Sequence, residues 1–266
     1  MSFPSVVYGS YGDEKTAQST KINNLPLGTR MVLPDGREFV HAKASATALI
    51  AGDMYQQNSM AVVAGTSDAG ILTNMAVATS AAIGATTVVI TMAATAHFSK
   101  DLLAGGYLFT NDATGEGHCY KIKGNTAAAS LGSCTITLEP NDAIKVALAA
   151  GTSEVAVRQL PFDNVTITTA DTVGVGALAG VAPVAVTASY YCWLQRKGPA
   201  AVLTDGTVIV GVPCVVSPAL AGAIAPFSTS AADTAGVRAA KGIDTVGYVM
   251  NVSASTEYSL VNLCLP

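Results

Sequence analysis

RMVLPDGREFVHA, residues 30–42, decides how this chain is read. Met31, Val32 and Leu33 run into Pro34-Asp35-Gly36, and Phe39 and Val40 follow. Pro34 presets φ for a turn, Asp35 can bond its own backbone, and Gly36 accepts positive φ, so the segment predicts a β-hairpin. VLTDGTVIV at 202–210 echoes VLPDGREFV at 32–40 through a shared Val-Leu-x-Asp-Gly. Two such hairpins could lie side by side in one sheet, with the chain between them inserted. After the first hairpin, Ala42 to Ala51 offers an Ala-rich helical turn or two, stopped at Gly52.

Outward from there the strand signal repeats. Thr86–Met92, Gly106–Thr110, His118–Lys123, Cys134–Glu139, Glu154–Leu160 and Asn164–Thr169 are rich in β-branched or aromatic residues and separated by turn clusters. Ala93–Leu103 is the one stretch among them that could make a short helix. The C-terminal part continues with strands over Val184–Gln195, Thr207–Val216, Thr245–Val252 and Glu257–Leu265. The fold class is therefore mainly β, in short-stranded barrels or sandwiches with at most short helices. Residues 1–29, polar and without a clean period, read as an extended N-terminal arm that orders against a partner or not at all. The expected organisation is an arm (1–29), a first part of the main β domain carrying the hairpin (30–80), an inserted barrel-like domain (81–165), and the rest of the main domain (166–266).

Charge is the second strong signal. Asp, Glu, Lys and Arg make 12% of 266 residues, against roughly 25% in soluble globular proteins. Residues 69–99, 172–195 and 206–232 contain none. Such a chain either crosses a membrane or hides surface against other protein. Mean hydropathy is +0.43, but the uncharged runs are Ala, Thr, Gly, Ser and Val, two are broken by prolines, and no Lys/Arg cluster flanks them. Coverage by protein is the better reading. A net charge of −4 with dispersed lysines and arginines leaves no basic patch for nucleic acid. The start, Met-Ser-Phe-Pro, has no basic segment followed by an apolar one, and five cysteines without a CxxC pair suit a reducing cytoplasm.

Catalytic signals are thin. His41, His97 and His118 lie far apart, and none falls in a metal-binding or protease motif. Gly-Thr-Ser-Asp-Ala-Gly (65–70) misses the spacing of a nucleophile elbow, and the glycine run at 174–180 misses a dinucleotide fingerprint. Asp112 and Glu116 in the loop 111–117 read as an ordinary turn rather than a calcium loop. No catalytic, cofactor-binding or metal-binding residue is assigned. The candidate residues are for contact: Tyr8, Tyr11, Arg30, Arg37, Tyr191 and Trp193. Trp193 shares a strand face with Tyr191, as a core wedge or an interface anchor.

The segments GTRMVLPDGREFVHAKASATALIAGDMY (28–55), GGYLFTNDATGEGHCYKI (105–122), YYCWLQRKGPAAVLTDGTVIVG (190–211) and VGYVMNVSASTEYSLVNLCL (246–265), in this order and spacing, resemble virion structural proteins of tailed bacteriophages, marine ones especially. The resemblance implies a non-enzymatic decoration (cement) protein on the capsid exterior, made in the host cytoplasm and bridging neighbouring major capsid subunits. It implies no cofactor. A homo-oligomer, a trimer before a dimer, is the expected form, with neither membrane nor nucleic acid as partner. A tail- or fibre-associated protein that recognises a host surface is the alternative.

Overall fold

The computed structural model describes residues 5–57, 71–94, 96–170, 176–227 and 245–266. The chain divides into two compact units, Met1–Asn58 with Phe162–Pro266, and Ser59–Pro161. The fold is mainly β, and the helical pieces among the described residues are two three-residue 3-10 turns, Asp13–Lys15 and Ile22–Asn24.

The first unit opens with strands β1 (Val6–Tyr8), β2 (Arg30–Val32), β3 (Glu38–Lys43) and β4 (Met54–Gln56). The second unit holds β5 (Ile71–Thr79), β6 (Thr87–Thr91), β7 (Tyr107–Asp112), β8 (Cys119–Asn125), β9 (Ser133–Leu138) and β10 (Glu154–Arg158). The chain then returns to the first unit with β11 (Thr166–Ile167), β12 (Leu178–Val181), β13 (Tyr191–Leu203), β14 (Pro213–Val216), β15 (Ile224–Pro226), β16 (Gly247–Asn251) and β17 (Tyr258–Cys264).

In the first unit the sheet order is β1-β2-β3-β13-β17-β16-β14-β15, with β4 joined to β13 through β12 and carrying β11 as a further partner. The hairpin at 30–42 forms: Arg30 faces Val40 and Val32 faces Glu38, while Leu33 accepts from Gly36 and donates to Arg37. Gly36 has φ 82°, the positive value this turn requires. Three clusters make the core, and one packs Trp193 with Met31, Leu33, Phe39, Ile22 and Leu25. The last two residues belong to the N-terminal arm. That arm is laid along its own unit: β1 pairs parallel to β2, and Gln18 bridges Tyr191. Its order comes from within the chain.

In the second unit, six strands close a barrel in the order β10-β5-β6-β9-β8-β7. Period-two alternation turns Val88 and Ile90, Tyr120 and Ile122, Ile136 and Leu138, and Val155 and Val157 into one core. Each such aliphatic side chain contributes roughly 1.5–3 kcal/mol relative to leaving it in water. Strand β5 pairs with β10 and β6, so the barrel takes in chain ahead of the 81–165 insertion expected from sequence.

Three local expectations are corrected. Residues 42–51 form no helix; β3 runs to Lys43, Ala44 bridges Val165, and Leu49 bridges Val186. Residues 96–103 form none either, because Phe98 exchanges backbone hydrogen bonds with Ala128, and Asp101 takes φ 59°. The second Asp-Gly segment is not a hairpin. β17 occupies the edge of β13 there, pairing Val202 with Ser259 and Leu203 with Tyr258, while Thr204 bridges Ile224. The 65–70 motif lies outside the described residues; of 174–180, residues 178–180 belong to β12.

Candidate interaction surface

β17 alternates without a fault: Ser259, Val261 and Leu263 are buried, and Tyr258, Leu260, Asn262 and Cys264 face out. In a half-buried antiparallel strand the outward set is ordinarily polar. Here the outward set is joined by apolar neighbours. Register places Asn262 between Pro199 of β13 and Tyr248 of β16, and Leu260 between Ala201 and Asn251. Tyr248 is 51% exposed, Met250 46%, Tyr258 44% and Leu260 38%. On these three strands Lys197 is the one charged residue facing outward from the β13–β17–β16 strip, and it sits at the end, beside Glu38 at 3.4 Å.

Next to this ridge lies an open trough of about 650 Å³. Its apolar lining includes Pro199, Ala200 and Ala201 of β13, Ile50, Pro183 and Tyr258, with Glu14, Lys15 and Arg37 as its charged members. Glu14 is buried, accepts from the Gly12 amide at 2.6 Å, and lies 3.7 Å from Arg37, whose Nε donates to Asp35 at 2.7 Å. The Arg37 guanidinium in turn holds the Asp35 carboxyl below the usual carboxylate range.

The six residues predicted for contact go to different places. Arg37 lines the trough. Tyr8 and Tyr11 stand exposed, on β1 and in the turn after it. Arg30 is exposed and donates to Glu38. Burial alone would raise the Glu38 carboxyl, but Arg30 and Lys197 together hold it low. Tyr191 is half-buried, 5.8 Å from the His41 ring, with the Lys43 ammonium 5.7 Å from its centroid. Trp193 is 2% exposed and belongs to the core, not to a surface. The sequence reading missed Tyr248, Met250, Tyr258 and Leu260. Their signal is in GYVMN (247–251) and YSLVNL (258–263), where large apolar residues occupy both phases of the alternation.

Asp53 and His41 of this unit are buried without an ion-pair partner. Asp53 is 3% exposed, its Oδ1 has no partner, and burial pushes its pKa up to about 6. His41 is fully buried, with Nδ1 donating to the Pro26 carbonyl at 3.2 Å, and burial lowers its pKa. All five cysteines are free, and burial pushes the Cys192 and Cys214 thiols up to about 12. The loop 111–117 is a turn tied by Glu116 to Ala113 and Gly117 to Thr110. Among the described residues no three His, Cys, Asp or Glu side chains are placed to hold a metal ion, and no helix is long and apolar enough to cross a membrane. What the β13–β17–β16 face offers is contact area. Compared with protein-family models, curated proteins and solved structures, the chain matches none.

Proposed function

We propose that this chain is a non-enzymatic structural subunit of a virion, one that decorates and cements a phage capsid shell by bridging neighbouring major capsid subunits from outside. The observation that carries the reading is the sparsely charged apolar face of β13, β17 and β16, with Tyr248, Met250, Tyr258 and Leu260 standing in solvent on a chain that is only 12% charged. Monomeric soluble proteins rarely leave apolar patches beyond a few hundred Å² uncovered. Protein neighbours are the natural cover, since persistent interfaces have apolar centres and polar rims. The likeness of four segments to tailed-phage virion proteins favours other virion subunits as those neighbours, shell subunits and copies of this chain alike.

The test is co-sedimentation. The purified chain is mixed with empty shells of the major capsid protein from the same genome. It should pellet with the shells at a fixed ratio and raise the temperature at which they rupture. A chain that stays in the supernatant at saturating shell concentration overturns the proposal.

A further inference from the structure

We infer that the outer face of β13, β17 and β16 is a two-fold interface on which a second copy of this chain docks, the apolar ridge of each copy seated in the trough of the other. The inference rests on reading the chain as a subunit that works by surface contact, and adds which surface and which partner.

Three observations carry it. The first is shape. Tyr248, Met250 and Leu260 stand proud on β16 and β17, whereas β13 presents only Pro199 and Ala201 beside the trough. Ridge and trough share one sheet face, about 10 Å apart at the usual strand spacing. A two-fold axis running along β17 in the plane of contact therefore lays β16 of one copy over β13 of the other, and does so twice. Tyr248 and Met250 of one copy then meet Pro199 and Ala201 of the other, while Leu260, on the axis, meets its own counterpart, as a self-complementary isologous contact allows. An isologous contact closes a pair, whereas a ring needs a heterologous one, which sets this arrangement against the trimer expected from sequence.

The second is area. Tyr248, Met250, Tyr258, Leu260 and Ile50 expose 51, 46, 44, 38 and 56% of their surface. At about 200 Å² for each large side chain these five alone offer on the order of 500 Å² per copy. Two copies then reach the roughly 1,000 Å² that a specific interface needs, before the small residues are included.

The third is charge. The two-fold brings the rim of Glu14, Lys15 and Arg37 opposite the chain beyond β16. Residues 206–227, which contain β14 and β15, hold no charged residue. Among the described residues there, no like charges are forced together, and the ions stay at the edge, where an interface tolerates them.

The experiment is sedimentation velocity on the full chain from about 1 to 100 µM, a range that spans ordinary homodimer affinities. Wild type should run as a dimer. Leu260→Glu with Met250→Glu places charge on the ridge, and Ala201→Glu places it in the trough. All three positions are exposed, so the fold should survive, and far-ultraviolet circular dichroism checks that it does. Each variant should weaken the dimer by about 100-fold or more, in line with the loss of a central hot spot. Ile83→Glu, exposed on the barrel unit, should leave the dimer intact. A monomeric wild type, a trimer, or a dimer indifferent to these charges overturns the inference. Shell co-sedimentation separates it from the function proposed above: a wild-type monomer that still pellets with shells removes the pair alone.

Discussion

The ring of Tyr258 rests on the α-carbon of Gly52: a β-carbon at position 52 would stand 2.5 Å from both Cδ1 and Cε1 of that ring. Gly52 also has φ 82°, and its amide and carbonyl tie Ala182 to Leu203. One glycine thus seats the aromatic wall shared by ridge and trough.

Gly52→Ala should therefore lower stability by about 1–3 kcal/mol, from left-handed strain plus displacement of the ring. Tyr258→Ala in the same chain should recover part of that loss, because the clash goes and the strain stays. Urea midpoints of the two single variants and the double variant measure it; strict additivity would show that the ring is not what position 52 meets.

Asp53 gives a pH signature. Its folded pKa of about 6 lies above the ordinary carboxylate value, so between roughly pH 4 and 6 the folded chain holds a proton that the unfolded chain has lost. Stability from this group is greatest in acid and falls as pH rises through that window. Asp53→Asn should raise stability on the order of 1–3 kcal/mol at about pH 7.5 and leave it nearly unchanged at about pH 4. An equal effect at both pH values would contradict the assignment.

His41 acts in the opposite sense. Burial lowers its pKa, so as pH falls below about 6.5 the unfolded chain takes up a proton that the folded ring resists, and stability drops. In wild type this loss is offset between about pH 6 and 4 by the gain from Asp53. Asp53→Asn removes the offset, so its thermal midpoint should decline more steeply on acidification than that of wild type. Parallel slopes would mean that the two groups do not govern the acid limb.

Leu131 is 69% exposed and held at φ 60°. The left-handed region costs a residue with a β-carbon about 1–2 kcal/mol, and the extra chain entropy of glycine is about 0.5–1 kcal/mol. Leu131→Gly should raise stability by roughly 0.5 kcal/mol on that difference. In the same unit Ile136→Ala, at a fully buried position, should lower it by about 2–5 kcal/mol. Calorimetry on the two variants gives both signs.

The strands that could be read from sequence are those rich in β-branched or aromatic residues and bounded by turn clusters. β6, β7, β8, β9, β10, β11, β16 and β17 fall within two residues of their expected spans, because that composition and those turns are local signals. β5 had no such signal. Leu72 and Met75 face Val157 and Val155, three residues against two, so a bulge with Asn74 at φ 55° breaks the alternation. The second Asp-Gly turn misled for the opposite reason: its local chemistry suits a hairpin, but β17 already holds the edge of β13.

By itself the sequence determined the β class, the hairpin at 30–42 and the shortage of charge, since turn chemistry, strand period and composition are local properties that need no partner. Only the tertiary structure decided which strands are neighbours, that six of them close a barrel, and that Tyr248, Met250, Tyr258 and Leu260 gather on one exposed face. Strand pairing joins residues far apart in the chain, and their adjacency is set by which edges and cores they fill together, a condition that no single segment carries.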